Sequence, residues 1–330
     1  MGVDGADPSP FVESSGIVDT SGIVGILGGA TATGKSALAL RLAEANGFEI
    51  ISADSRQLYR DMDIGTNAPS AADREKVRHH LVGVLDASQA FSPREFPGRV
   101  AEVLAAYPGV RFLIVGGTGL YLKELLYPAD RDRGPTPEAV RQETQAKLDK
   151  DGLAAMHAEL LGLDPEGMRR IHPHDRYRIL KRWENFLITG ESYTRLASRS
   201  GMDPRFENIP FLWLDLERES LYRRIDARVN AMAGAGWLEE TRRLMGRPDY
   251  TGLPAFTSLG YREMALVAKG ALNPKDALEA IGKKTRNYAK RQATFFRHQF
   301  PLARRWDTER LETGLEASGW DWRAFRERAP

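Results

Sequence analysis

The stretch Gly28-Gly29-Ala30-Thr31-Ala32-Thr33-Gly34-Lys35-Ser36 decides the fold of this chain. It follows an apolar run at residues 23–27 and precedes a segment, residues 36–46, whose apolar positions have helical spacing. The pattern G-x-x-x-x-G-K-[ST] joins a buried strand to the N-terminus of a helix, where glycines turn backbone N–H groups inward and the helix dipole adds positive charge. The sequence therefore predicts a P-loop that binds a di- or triphosphate.

The residues of this loop have distinct predicted parts in phosphate binding. Lys35 would place a compact positive charge on a terminal phosphate, and the Ser36 hydroxyl is suited to Mg²⁺, which we expect as the cofactor. A glycine turn that binds no ligand is the alternative. The predicted diphosphate- or nucleotide-binding residues are Gly29, Ala30, Thr31, Ala32, Thr33, Gly34, Lys35 and Ser36.

Length and composition exclude several classes of protein. The chain has 330 residues, of which 42% are hydrophobic, and this is enough for one or two ordinary cores. It has no cysteine, which excludes disulfides and thiolate metal sites and fits a reducing, cytoplasmic location. No apolar run is long enough to cross a bilayer. Because the net charge is only +2, a nucleic-acid partner would have to bind a local basic patch.

A second predicted strand, residues 48–54, ends in an acid. In an open parallel sheet the carboxyl ends of the strands face the ligand crevice, so Asp54 is expected beside the P-loop, followed by Ser55, Arg56 and Gln57. The carboxylate could ligate Mg²⁺ or act as a general base. Capping of the next helix is a structural alternative.

A third predicted strand, near residues 110–115, leads into Gly116-Gly117-Thr118. In many P-loop NTPases a strand of this kind ends in an acid that supports Mg²⁺ and the attack of water. The absence of that acid disfavours ATP hydrolysis. Thr118 and the N–H groups of the turn could instead position a substrate, and a turn that serves only packing is the alternative.

The predicted fold is α/β, with a P-loop NTPase-like parallel sheet and a small helical insertion domain. Residues 1–22 lack the basic and apolar regions of a signal peptide and are expected to be a disordered extension. We expect the core at 23–130 and 201–305, with basic helices at its C-terminal end. The helical insertion is predicted at 131–200, and residues 306–330 are expected to form a C-terminal tail.

Two histidine pairs are expected to be structural. His79 and His80 are adjacent, so their side chains point in different directions and are poorly placed to share a metal ion. His172 and His174 have no evident third ligand.

The most basic part of the chain lies near its C-terminal end. Residues 281–305 contain no acid, and Tyr288, Phe295 and Phe296 alternate with the basic side chains. Phosphate contacts combined with stacking surfaces suit a single-stranded or looped RNA. A solvated basic helix is the alternative. The basic residues are Lys283, Lys284, Arg286, Lys290, Arg291, Arg297, Arg304 and Arg305.

The motifs, taken in order, resemble one enzyme family. They are GGATATGKS, ISADSRQLYRDMDIGT, HHL, VGGTGLYLKELL, RIHPHDRYRIL, GYRE and TRNYAKRQATFFR, and they extend from about residue 23 to 305. This set is similar to the bacterial tRNA dimethylallyltransferases, also called isopentenyl-tRNA transferases. The whole set is more specific than a P-loop alone.

The resemblance implies a reaction and a set of roles. The P-loop would bind the diphosphate of dimethylallyl diphosphate with Mg²⁺, and the acceptor would be the adenosine 3′ of a tRNA anticodon, at position 37. The product would be N6-(dimethylallyl)adenosine, with release of diphosphate. Asp54 would be the general base, Thr118 would lie near the amine, and Arg228 would bind diphosphate, which makes these three the expected catalytic residues. The tRNA-binding residues implied are Asp54, Ser55, Arg56, Gln57, Thr118, Arg141, Tyr177, Arg178 and Lys181.

The chain departs from the family pattern at three positions. Tyr177 replaces a usual glutamine, Lys181 a usual arginine and Asn287 a usual glutamine. The resemblance implies no membrane and no stable protein partner. Two other functions fit part of the sequence: a P-loop kinase of a nucleoside or small metabolite, and an RNA-binding NTPase switch that modifies nothing. A P-loop kinase would not explain the basic segment at residues 281–305 and its aromatic side chains.

Overall fold

The structure, a computed structural model, describes residues 20–127, 136–169, 171–198 and 203–323. The chain forms two compact units. The larger takes its described residues from Val18–Leu126 and Asp203–Pro330, and the smaller takes them from Tyr127–Met202. Most of the expected N-terminal extension, residues 1–19, lies outside the described residues.

A single six-stranded parallel sheet forms the centre of the larger unit. The strands are β1 (Ile23–Gly29), β2 (Glu49–Ser52), β3 (His79–His80), β4 (Phe112–Gly116), β5 (Phe211–Asp215) and β6 (Arg304–Asp307). They lie in the order β3-β2-β4-β1-β5-β6, and every neighbouring pair is parallel. The carboxyl ends of β1, β2 and β4 therefore meet at one edge, which confirms the predicted α/β class.

Helices connect the strands and cover the sheet. In the larger unit they are α1 (Lys35–Asn46), α2 (Ala71–Lys76), α3 (Phe96–Ala106), α4 (Gly119–Leu126), α9 (Arg218–Gly234), α10 (Trp237–Met245), α11 (Tyr261–Ala268), α12 (Pro274–Gln299) and α13 (Thr308–Ala317). The smaller unit holds α5 (Glu138–Leu163), α6 (Pro165–Met168), α7 (Arg176–Thr189) and α8 (Tyr193–Ser198). Short 3₁₀ helices lie at Pro93–Glu95, Pro204–Phe206, Tyr250–Gly252 and Pro254–Thr257.

Alternation along β5 explains how the two faces of the sheet are covered. Leu212 and Leu214 belong to a core cluster with α1 and α13. Phe211 and Trp213 point to the opposite face and contact Phe296 of α12. Both faces of the central strands are thus buried, as expected for a parallel sheet.

The segment after Arg305 differs from the expected C-terminal tail. It completes β6 and forms α13, and its side chains Leu311, Leu315 and Trp322 are buried in the core. Trp322 Nε1 donates to the Val24 carbonyl at 3.0 Å, and a Cβ on Gly25 would lie 2.8 Å from the Trp322 ring. Apolar burial against β1 is the reason that this segment is ordered.

The smaller unit has its own apolar core. Met156, Leu160, Met168, Ile171, Ile179 and Trp183 pack together, with Leu148 and Leu153 beside them. The helix α5 is interrupted at Gly152, whose φ of 80° lies in the left-handed region that glycine tolerates. The first residues of the predicted insertion, 131–135, lie outside the described residues.

Candidate active site

The P-loop turns sharply at the carboxyl end of β1. Gly34 has a φ of 96° and Ala32 a φ of 64°, so two left-handed residues bend the backbone into the N-terminus of α1. The Thr33 hydroxyl donates to the Ala30 carbonyl at 2.9 Å and holds the loop in this shape. Leu38 N–H donates to the Gly34 carbonyl, so the helix begins directly after the turn. The result is a helix N-terminus that opens into a cavity.

Lys35 is buried at the base of this loop. Its Nζ donates to the Ala30 carbonyl at 2.5 Å. Burial lowers the pKa of Lys35 from 10.5 to about 7; the nearby Asp54 carboxylate opposes this shift, and the Arg228 guanidinium adds to it. A bound anion would favour the charged form of this amine, which makes the site responsive to a diphosphate.

Arg228 reaches the same loop from α9. Its Nη2 donates to the Thr31 hydroxyl at 2.6 Å. Its buried Nε has no hydrogen-bond partner among the described residues. Burial lowers the pKa of the guanidinium, and Asp54 opposes that effect. A buried donor that is not satisfied by the protein fits an anionic ligand, because it otherwise carries a desolvation cost.

Asp54 follows β2 and organises the turn behind it. Its Oδ1 accepts hydrogen bonds from the N–H groups of Arg56 at 2.9 Å and Gln57 at 3.4 Å. The capping role considered for this side chain is therefore present, as a cap on a turn. The carboxylate lines the cavity, so capping does not remove it from the site.

Thr118 joins the turn after β4 to the turn after β2. Its N–H donates to the Ala53 carbonyl at 3.1 Å, and its Oγ1 accepts from Ser55 N–H at 2.9 Å. Its hydroxyl lies 3.3 Å from the Ser55 Oγ. Since β2 and β4 are adjacent in the sheet, Thr118 and Asp54 come from neighbouring turns at the same edge.

The side chains of Arg56 and Gln57 fix the remainder of this wall. Gln57 accepts from the Ser52 hydroxyl at 3.0 Å and donates to the Asn67 carbonyl at 3.0 Å. Arg56 Nη1 donates to the Thr257 hydroxyl at 3.0 Å. The two side chains therefore connect the turn after β2 to two separate loops.

A cavity of about 400 Å³ brings many of these groups together. It has the size of a small-ligand site. Of the site residues expected from the sequence, those that line it are Thr31, Ala32, Gly34, Lys35, Ser36, Asp54, Gln57 and Arg228. Those that support it without lining it are Gly29, Ala30, Thr33, Ser55, Arg56 and Thr118. The cavity is cationic at the P-loop and carries one carboxylate beside it.

The cavity is also lined by Arg224 and Gln292, for which the sequence predicted no role, and by Tyr288, which was expected only as a stacking surface for RNA. Arg224 comes from α9, one turn before Arg228. Tyr288 and Gln292 are four residues apart on α12 and so share one face of that helix. Burial and the charge of Asp54 raise the pKa of Tyr288 to about 12, so its hydroxyl keeps its proton. The spacing of four residues on each helix was the sequence signal that could have identified these side chains.

Several bases of the segment at residues 281–305 are already paired with acids of the protein. Ion pairs join Lys284 to Glu263 and Arg286 to Asp226, while Arg297 and Arg305 both face Asp215. These four bases and three acids meet only through tertiary packing, so their pairing was not visible in the sequence. Exposed bases remain on α12 at Lys283, Lys290 and Arg291.

The aromatic residues of the basic segment do not all suit RNA stacking. Phe296 is fully buried and packs against Phe211 and Trp213, so the expectation that it interleaves with the charges as a stacking surface is wrong. A Cβ on Gly28 would lie 2.4 Å from the Phe296 ring, so this side chain packs directly beneath the P-loop strand. Phe295 is partly buried, and Tyr288 faces the cavity.

The remaining expected tRNA contacts lie in the smaller unit. Arg141 is an exposed side chain of α5, 3.7 Å from Glu138. Tyr177 and Arg178 lie at the start of α7 and are 72% and 62% exposed. Lys181 pairs with the buried Glu184 at 2.6 Å. These positions stay predictions as RNA contacts.

The histidine pairs make structural contacts. His80 hydrogen-bonds Glu49 at 2.6 Å, and His79 Nδ1 donates to the Val77 carbonyl at 2.8 Å. His172 Nδ1 accepts from His174 N–H at 3.2 Å. Among the residues that the structure describes, no three His, Cys, Asp or Glu side chains are grouped to ligate a metal ion.

The oxygen donors of the cavity nevertheless fit Mg²⁺. This ion is commonly held by one or two protein oxygens together with substrate phosphates. The Ser36 hydroxyl and the Asp54 carboxylate both line the cavity, beside the predicted phosphate cradle.

Within the described ranges, no helix combines the length and apolarity needed to cross a membrane.

Sequence comparison finds close relatives. A tRNA dimethylallyltransferase of Rhodospirillum centenum is 42% identical over 288 residues, which cover 86% of this chain and 90% of that protein. One from Geobacter metallireducens is 39% identical over 278 residues, which cover 82% and 88%.

Solved structures give the same result. A tRNA delta(2)-isopentenylpyrophosphate transferase from Staphylococcus epidermidis has a TM-score of 0.63 at 29% identity, over 90% of this chain and 97% of that chain. A eukaryotic dimethylallyltransferase acting on tRNA has a TM-score of 0.71 at 26% identity, over 84% and 70%. The family model described as IPP transferase matches residues 57–299. On this evidence, the chain belongs to the IPP transferase family.

Proposed function

We propose that this protein transfers a dimethylallyl group from dimethylallyl diphosphate to the exocyclic amine of the adenosine at position 37 of tRNA. The observation that carries the proposal is a single cavity in which Lys35 and Arg228 meet the P-loop and Asp54 lies beside them. Such a site can hold an anionic leaving group and accept a proton next to it. Membership of the IPP transferase family supports the same reaction.

The proposed chemistry forms one bond and breaks another. The adenine nitrogen bonds to the allylic carbon as the bond from that carbon to the diphosphate oxygen breaks. An aromatic amine is a weak nucleophile, so transfer of its proton to the Asp54 carboxylate assists the attack. The hydrogen bonds to Asp54 Oδ1 hold this carboxylate in place.

The charge that develops on the leaving diphosphate is stabilised by the cationic end of the cavity. Lys35, Arg228 and the P-loop N–H groups are fixed before the reaction, and preorganised groups of this kind stabilise developing charge most effectively. Mg²⁺, held by Ser36 and the diphosphate oxygens, would supply further positive charge. A buried site would also keep water from capturing the allyl group.

Recognition of tRNA is proposed to involve both units. In the larger unit, the turn holding Asp54, Ser55, Arg56 and Gln57, together with Thr118, would contact the flipped adenosine. In the smaller unit, the proposed contacts are Arg141, Tyr177, Arg178 and Lys181. The exposed bases of α12 would bind the RNA backbone. The cytoplasm, where tRNA is found, is the proposed location.

A transfer assay with a matched pair of RNAs tests the proposal. An anticodon stem-loop with adenosine at position 37 is incubated with dimethylallyl diphosphate and Mg²⁺, next to the same RNA with guanosine there. We expect mass spectrometry of the nucleosides to find a prenylated adenosine in the first RNA only. Phosphorylation of a nucleoside by ATP, without prenyl transfer, would instead establish a P-loop kinase.

A further inference from the structure

One buried amide on α12 connects the two halves of the cavity. Gln292 is only 7% exposed, although it lies between exposed bases on the same helix. We propose that Gln292 is a positioning residue that fixes the diphosphate loop relative to the turn carrying Thr118, and so aligns the leaving group with the attacking amine. The inference rests on the proposed function, because it assigns these two elements to the donor and the acceptor.

Both ends of the Gln292 amide are used. Its Oε1 accepts from Thr31 N–H in the P-loop at 2.9 Å. Its Nε2 donates to the Gly117 carbonyl in the turn after β4 at 2.8 Å. An amide is suited to this task because it presents an acceptor and a donor from one rigid plane. We refer to this pair of hydrogen bonds as the Gln292 bridge.

The bridge continues into the acceptor side of the site. The Gly117 carbonyl belongs to the peptide bond that supplies Thr118 N–H, and this N–H donates to the Ala53 carbonyl at 3.1 Å. The Thr118 hydroxyl oxygen accepts from Ser55 N–H at 2.9 Å. A continuous series of hydrogen bonds therefore extends from the P-loop to the residues on both sides of Asp54.

The donor side is fixed at the same residue. Thr31 is held through its N–H by Gln292 and through its hydroxyl by Arg228 Nη2 at 2.6 Å. Arg228 comes from α9 and Gln292 from α12, so two helices determine the position of this one P-loop residue. A shift of either contact would move the loop that cradles the diphosphate.

Close packing leaves the bridge no room to move. A Cβ on Gly117 would lie 2.6 Å from Gln292 Nε2 and 3.1 Å from the Gly29 carbonyl. The glycine at position 117 thus permits the amide and the P-loop strand to approach the turn closely. Displacement of reacting groups by about 1 Å can cost roughly 10²-fold in rate, so a bridge of this rigidity is sufficient to affect catalysis.

The helix α12 also links this bridge to RNA binding. Lys290 and Arg291 precede Gln292 directly and are exposed, whereas Gln292 and Tyr288 face the cavity. The helix that would bind the RNA backbone on one side therefore holds the donor loop on the other. Through this helix, the position of the bound RNA and the position of the diphosphate are defined by the same rigid element.

Two variants separate the halves of the bridge. Gln292→Met has a similar length but makes neither hydrogen bond. Gln292→Glu is nearly isosteric and keeps an acceptor for Thr31 N–H, but its carboxylate offers no donor to the Gly117 carbonyl. A matched control on the same helix is Gln299→Met, because Gln299 accepts from Lys123 at 2.6 Å and lies outside the cavity.

The expected results differ between kcat, KM and diphosphate affinity. Gln292→Met should lose about 10–10²-fold in kcat, with the KM for tRNA within about threefold of wild type. Gln292→Glu should also lose kcat at saturating donor, and its carboxylate, which would lie in the anion-binding cavity, should weaken the binding of inorganic diphosphate. Gln299→Met should match wild type in both measurements.

The outcomes that overturn the proposal are equally defined. Wild-type kcat in Gln292→Glu, or an equal loss in Gln299→Met, would show that the bridge does not position the reaction. If Gln292→Met fails to fold, the kcat of Gln292→Glu, measured at saturating donor, still decides the question. Absence of prenyl transfer in the wild type would refute the proposed function instead. In that case, the affinity of folded Gln292→Met for inorganic diphosphate tests the bridge by itself. An affinity equal to that of the wild type would overturn the role of the bridge, and a weaker affinity would support it.

Discussion

Replacement of Asp54 by asparagine separates the chemistry of this carboxylate from its structural role. Asp54 Oδ1 accepts from the N–H groups of Arg56 and Gln57. Asparagine keeps an oxygen acceptor for both bonds, whereas alanine leaves both donors without it. Each lost bond costs about 0.5–1.5 kcal/mol, so Asp54→Ala should lower the free energy of unfolding by about 1–3 kcal/mol. Asp54→Asn should change it by less than about 0.5 kcal/mol.

The rate of transfer should fall in both variants, because neither side chain can take the proton from the amine. A general base contributes roughly 10²–10⁴-fold, and we expect a loss of this size in kcat for Asp54→Asn. A second effect concerns the donor. Asp54 raises the pKa of Lys35, so its replacement lowers that pKa further and leaves less charged Lys35 at neutral pH. The pH at which diphosphate binding weakens should therefore shift downward in Asp54→Asn.

The assay combines three measurements on each variant. Single-turnover transfer at saturating tRNA and donor gives the chemical rate, urea unfolding gives stability, and calorimetry gives the affinity for inorganic diphosphate. Asp63→Asn is the control, since Asp63 is a half-exposed acid that pairs with Arg74 at 2.6 Å outside the cavity. Transfer by Asp54→Asn within about threefold of wild type would refute the assignment of Asp54 as the base.

Three further predictions test the cavity, the core and the RNA-binding face. Binding of inorganic diphosphate at about pH 8 should be accompanied by proton uptake, because Lys35 has a pKa of about 7 and is largely neutral until the bound anion raises that pKa. Calorimetry in buffers of different ionisation enthalpy measures this uptake. Equal heats of binding in all buffers would contradict the prediction. Affinity should accordingly decrease as pH rises through 7. Phe296→Ala should lower the free energy of unfolding by about 3–5 kcal/mol in urea titrations, because Phe296 is fully buried. The control Phe295→Ala should lower it by less, because Phe295 is only partly buried. Lys290→Gln should weaken tRNA binding and reduce its salt dependence by about one phosphate contact, whereas Lys284→Gln, which removes an ion-paired base, should change that slope less.

The P-loop and the ends of the strands were predictable because local sequence determines them. Residues 28–36 combine a strand, a glycine turn and a helix within nine positions. The placement of Asp54 beside that loop follows from the rule that parallel strands share a carboxyl edge. Both expectations depend on short-range pattern and topology, and the parallel sheet has the required form.

The contacts made by α12 were not predictable in the same way. Gln292 meets Thr31 across 261 positions of sequence, and no spacing rule connects the two. Counting charges overestimated the free bases, because the pairing acids Asp215, Asp226 and Glu263 come from other elements. Phe296 belongs to the core for the same reason, since its apolar partners on β5 are distant in the chain.

The contact between Trp322 and β1 determines how late in translation the fold can be completed. The two residues joined by this hydrogen bond, Val24 and Trp322, are 298 positions apart. At roughly 5–20 residues per second, their synthesis is separated by about 15–60 s. During translation β1 is thus made long before the side chain that covers it, and a nascent chain that stops before Trp322 leaves this part of β1 uncovered.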